Sequence, residues 1–151
     1  MSEGSRGRWW LGIGAVGLVL VLVVIALARE PIQLDAGTPE GVVQRYLEAI
    51  SQNDYDVAFD YLDPDYYQGC DATSLARSAP EQSFSASIEN GEKASIDHPL
   101  VSVTFRFGTG EGPFRSGWTN YEQFELVDAG GSWLITGEAW PYFGWDCRKD
   151  I

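Results

Sequence analysis

The chain has 151 residues, 44% of them apolar and 21% charged, with a formal net charge of −12. That length suits one ordinary domain, while the apolar fraction, the scattered glycines and a cysteine count of two exclude collagen-like, disordered and disulfide-stapled mini-protein classes. The charge is unevenly divided: residues 30–151 hold 21 of the 22 acids and 7 of the 10 bases, hence −14, which argues against nucleic acid as a partner because phosphate backbones are held by Lys and Arg.

Residues 1–8 read as a short tail carrying Arg6 and Arg8. Trp9 to Ala28 follow with 20 residues and no charge, and as a helix this run would span about 30 Å, the thickness of a bilayer's hydrocarbon core. The expectation is a single transmembrane helix over residues 9–28. Two arginines precede it, and only Arg29 follows before the acidic remainder. The positive-inside tendency therefore places the N-terminus in the cytoplasm and the C-terminal domain outside it. Trp9 and Trp10 suit the headgroup boundary. Ala26-Leu27-Ala28 also has the small-x-small form of a signal cleavage site, so the alternative is a secreted domain released near Ala28; signal cores of about 7–15 residues are shorter than this run.

Residues 29–37 mix Pro, Gly and charge without periodicity and read as a linker, leaving residues 38–151 as the exported domain. Thr38-Pro39-Glu40 supplies an N-cap, a first-turn proline and an acid beside the positive end of the helix dipole. Val42, Val43, Tyr46, Leu47 and Ile50 then recur at helical period. Asn53 or Asp54 caps a second helix with Val57, Ala58, Tyr61 and Leu62 on its apolar face, closed by Asp63-Pro64. Ser74 to Ser78 suits one more helical turn. After Pro80 the period falls to 2. Phe84, Ala86 and Ile88 alternate with serines, and Asn90-Gly91 is a two-residue hairpin signal leading to a strand over Lys93 to Asp97. Val101, Val103, Phe105 and Phe107 define a third strand, Gly108 to Gly117 a glycine-rich loop, and Tyr121 to Val127 and Ser132 to Ala139 two further strands. Helices first and an antiparallel meander second give an α+β domain with helices on one face of a sheet.

TPEGVVQRYLEAI, NDYDVAFDYL and a meander ending in GGSWLITGEAW together resemble the nuclear transport factor 2-like superfamily, also called cystatin-like or SnoaL-like, from about Thr38 to Trp140. The resemblance implies a curved antiparallel sheet wrapped around helices as a cone with a pocket at its wide end, of the membrane-anchored, exported bacterial type. Members of the superfamily include isomerases, dehydratases and cyclases as well as non-catalytic transport and assembly modules, so fold does not choose activity.

Cys70 and Cys147 are an even pair in a compartment where disulfides persist, and a bridge between them would contribute about 2–4 kcal/mol. Asp54, Asp56, Asp60, Asp63, Asp65 and Asp71 crowd one stretch, yet lack the sixth-position Gly and twelfth-position Glu of a calcium loop, and read as caps and a solvated face. One histidine and two exported cysteines provide no zinc spacing, and no metal or cofactor is expected. The resemblance implies, for its enzymes, a pocket carboxylate or His beside Tyr hydroxyls; Asp63, Asp65, Tyr66, Tyr67 and His98 are the nearest candidates, and none matches a catalytic motif. Eighteen aromatics remain after Trp9 and Trp10 are set aside, four of them in Trp140-Pro141-Tyr142-Phe143-Gly144-Trp145. Such rings serve as bulky core or as a stacking surface for a small apolar ligand, a glycan or a peptide, with Tyr67, Trp118, Trp140 and Trp145 as the candidate contacts. The expected role is a non-catalytic binding or assembly module at the membrane, a homodimer or paired with a cell-envelope protein. The alternative is acid–base chemistry on a small apolar substrate within the cone.

Overall fold

A computed structural model describes residues 32–89, 98–109 and 116–143. The chain divides into two compact units, Met1–Ile32 and Gln33–Ile151, and every element below belongs to the second. The apolar run 9–28 lies outside the described residues. Among those described, no helix is long and apolar enough to cross a membrane.

Helix α1 spans Pro39–Gln52. Thr38 caps it by accepting the Gly41 N–H at 3.1 Å, and Asn53 ends it in the left-handed conformation at φ 60°. Its apolar stripe is the one the sequence spacing marks: Val42, Val43, Tyr46, Leu47 and Ile50 are all buried. Helix α2 is shorter than its periodicity suggests, Tyr55–Phe59, with Asp54 as N-cap. The cause is tertiary. Asp63 N–H donates to the Ile135 carbonyl at 2.8 Å and Ile135 N–H to the Tyr61 carbonyl at 2.9 Å, so the last residues of the expected helix leave the α region and join the sheet as an isolated parallel bridge, Leu62 to Ile135. Helix α3 runs Ala72–Ser78 behind the cap Asp71.

Four strands, β1 Phe84–Glu89, β2 Leu100–Thr109, β3 Ser116–Asp128 and β4 Trp133–Thr136, form one antiparallel sheet in the order β1-β2-β3-β4. The Asn90-Gly91 turn and the strand expected over Lys93 to Asp97 lie outside the described residues. β1 pairs directly with β2, Glu89 opposite Ser102 and Phe84 opposite Phe107. The glycine-rich stretch also departs from expectation: β2 continues through Thr109 and β3 begins at Ser116, five residues before Tyr121. Gly108 faces Gly117 across the ladder, and a Cβ on Gly117 would stand 2.8 Å from the Phe107 carbonyl oxygen. These glycines permit close pairing where a loop was expected. β4 stops at Thr136 because Gly137, at φ +71°, turns the chain away.

Helix α1 lies against β4, β1 and β2. Val101, Val103, Phe105 and Phe107 of β2, Phe124 and Leu126 of β3 and Ile135 of β4 meet its stripe in one core. The observed class is α+β, with helices against one face of a four-stranded antiparallel sheet.

Candidate ligand-binding site

The residues after β4 decide what the open end of the sheet presents. Residues 137–142 carry no regular structure, and three tyrosine hydroxyls fasten them. Tyr67 donates to the Gly137 carbonyl at 2.7 Å and accepts from Ala139 N–H at 3.2 Å. Tyr46, wholly buried in α1, donates to the Trp140 carbonyl at 2.9 Å. Tyr142, itself at φ 55°, donates to Glu122. Phe143 then stacks on Tyr67 at 4.9 Å between ring centroids, 3° from parallel.

Trp140 is thereby driven into the core. Its ring meets Phe105 at 4.4 Å, Phe84 at 4.9 Å and Phe107 at 6.0 Å, and it is almost fully buried. Trp118 is the opposite case. Register places it across from Phe107, and the two rings stack at 4.2 Å and 14°, yet 57% of the residue stays exposed. A cleft of about 460 Å³ opens beside it, lined by Phe107, Trp118, Trp140 and Pro141 together with Glu81 and Gln82. A second of about 460 Å³ is bordered by Phe84, Arg106, Phe107 and Trp118. The indole is a wall common to both.

The four predicted ligand contacts therefore separate. Trp118 is available to a ligand. Tyr67 is buried and its hydroxyl bonds the tail, Trp140 is nearly buried yet borders the first cleft, and Trp145 lies outside the described residues. Cys70 packs half-buried against the core, no free cysteine occurs among the described residues, and Cys147 lies outside them. Of the acid–base candidates, His98 pairs with Glu125 at 3.2 Å with both side chains about half exposed, and it lines neither cleft. Asp63 accepts from Asp65 N–H and the Thr136 hydroxyl, and Tyr66 packs edge-on against Tyr67 at 5.0 Å. The crowded aspartates Asp54 and Asp71 are helix caps. Among the described residues no cluster of three or more His, Cys, Asp or Glu could hold a metal ion.

Glu81, Asn120, Glu122 and Tyr142 escaped the sequence reading. Asn120 and Glu122 lie at i+2 spacing between Trp118 and Phe124, so period 2 puts an amide and a carboxylate on the same face of β3 as the buried Phe124. The Asn120 amide and the Tyr142 hydroxyl both donate to Glu122. Burial and that bond push the Tyr142 phenol up to about 12, so it remains a donor throughout the ordinary pH range. Burial raises Tyr46 well above the usual phenol value, with Tyr67 adding to the effect.

This sets an alkaline limit on stability. Below about pH 10 Tyr46 is neutral whether folded or unfolded. Above it the unfolded chain releases the proton while the folded one retains it, so the unfolded state binds fewer protons and stability falls as pH rises. Urea midpoints are expected to be level from pH 8 to 9.5 and to decline above pH 10. The decline should be shallower in Tyr46→Phe; an equal slope in that variant would assign it to other groups.

No protein-family model matches the chain, and no curated protein matches it in sequence. Among solved structures it is similar to a SEC-C motif-containing protein from Psychrobacter arcticus, at 16% identity and a TM-score of 0.56, covering 83% of this chain and 68% of that one. It is also similar to a SEC-C motif-containing protein from Rhodopseudomonas palustris, at 21% identity and 0.54, covering 69% and 79%. A ketosteroid isomerase-like protein from Erwinia carotovora atroseptica is a further neighbour, at 16% identity and 0.47, covering 70% and 93%. The two likenesses above 0.5 show a common fold and nothing finer.

Proposed function

We propose that the chain is a membrane-anchored, exported binding module of the nuclear transport factor 2-like type, in which the aromatic surface at Trp118 receives a ligand or partner group. The observation that carries this reading is the contrast between two tryptophans of one aromatic cluster: Trp140 is buried, while Trp118 lies stacked on Phe107 with more than half its surface open. Large exposed rings that are held rigid are characteristic of recognition sites, since they offer area at small entropic cost. The uncharged run 9–28 and the arginines before it support the anchor, and the even cysteine count supports a Cys70–Cys147 bridge on the exported side.

Acid–base catalysis has weaker support. It calls for a general acid or base held beside an enclosed substrate, and both clefts beside Trp118 open to solvent. A non-catalytic module accounts for the same features without that requirement.

The test uses the full-length chain in maltoside micelles and the neutral, water-soluble alcohol 3,3-dimethylbutan-1-ol as probe. The Trp118 indole N–H resonance, assigned by its loss in Trp118→Phe, should shift saturably with the probe while that of Trp140 moves far less. Trp118→Ala should abolish probe binding yet change stability by less than about 1.5 kcal/mol, as befits a side chain mainly in water. A Trp118 resonance indifferent to the probe would remove the reading.

A further inference from the structure

We propose that the cleft between Trp118 and Glu81 receives an arginine side chain from a basic segment of a partner protein. The inference rests on the reading of Trp118 as a binding surface and names the chemistry of the occupant. Three observations carry it. First, the cleft joins an aromatic wall, Trp118 on Phe107 with Trp140 behind, to a single carboxylate, Glu81. A planar guanidinium can stack on an indole while its N–H groups pair with a carboxylate, a combination that neither an ammonium nor a neutral group offers as well. Second, among the described residues the lining of this cleft contains no cation, and Arg106 borders the neighbouring cleft that shares Trp118. Third, residues 30–151 carry −14, and a field of that sign draws basic segments toward the surface before any contact forms. Acidity alone would attract any cation without selecting one. The exposed, Phe107-backed indole supplies the selection, because it rewards a flat charged group and offers little to a hydrated point charge.

The test compares the peptides acetyl-Gly-Arg-Gly-amide, acetyl-Gly-citrulline-Gly-amide and acetyl-Gly-Lys-Gly-amide against the full-length chain, read from the Trp118 indole resonance. Citrulline keeps the shape of arginine and removes its charge. The arginine peptide should bind roughly tenfold more tightly than the citrulline peptide and more tightly than the lysine peptide. Glu81→Gln should remove most of that preference, and Asp65→Asn, an equal loss of charge outside both clefts, should leave it within about twofold. Equal affinity for arginine and citrulline peptides would overturn the proposal, as would equal weakening by Glu81→Gln and Asp65→Asn, which would mean diffuse attraction. If 3,3-dimethylbutan-1-ol still shifts Trp118 in either case, the binding surface stands and only its preference for arginine falls. If neither alcohol nor peptide moves the resonance, both readings fall together.

Discussion

Trp140→Ala is expected to destabilise the folded unit by about 3–5 kcal/mol, the range for removing a large buried ring, out of a total typically of 5–15 kcal/mol. The indole fills the space among Phe84, Phe105 and Phe107, rings contributed by two adjacent strands, so its removal leaves a cavity in the core. The thermal midpoint should drop by roughly ten degrees or more, followed by circular dichroism. Loss of Phe107's support would also loosen the platform under Trp118, so ligand contact and stability should fail together in this variant. In Trp118→Ala they should separate, with probe binding gone and the melting curve nearly unchanged. A stable Trp140→Ala variant would contradict the assignment of that residue to the core.

Tyr67→Phe should cost about 1–3 kcal/mol, although it deletes a single oxygen. That hydroxyl donates to Gly137 and accepts from Ala139, so its removal leaves a part-buried carbonyl and a buried N–H without these partners, and the desolvation of the N–H in particular goes uncompensated. The ring itself should remain stacked on Phe143, which confines the effect to the polar contacts. Amide exchange at Ala139 should quicken by about tenfold or more as the tail segment opens locally, while amides in the middle of β2 keep their protection relative to global stability. Uniform acceleration across the sheet, or none at Ala139, would show that the hydroxyl does not hold the segment.

Much of the helical half was legible because its signals are local. Thr38, Pro39 and the Val42-to-Ile50 spacing depend on a cap and a period that need no distant partner, and α1 lies where they put it. The alternation of Val101 to Phe107 likewise marked both the strand and its buried face. The errors fell where distant pairing decides. Leu62 has helical neighbours in sequence but a bridge to Ile135 in space, and Gly108 and Gly117 carry loop composition yet sit opposite one another in a ladder. Local propensity cannot register either partner.

The proposed binding surface was half legible for the same reason. Counting aromatics located the cluster and could not say which ring was open. Glu122 and Asn120 share the row of β3 that carries Phe124, but what holds Glu122 there is Tyr142, a partner from the tail that local periodicity does not show.

The sequence by itself determined the division of charge, the uncharged run of 9–28, the order of helices before strands and the apolar stripe that helix α1 buries. Each follows from composition or from periodicity along a single element. Tertiary structure alone decided which tryptophan faces water. The tyrosine hydroxyls at 46 and 67, far from the tail in sequence, bond its backbone and fix Trp140 inside, while the register of β2 with β3 sets Trp118 at the exposed end of the same cluster. Two chemically identical side chains take opposite roles because burial is a property of the assembled core, and no residue carries it in its own identity.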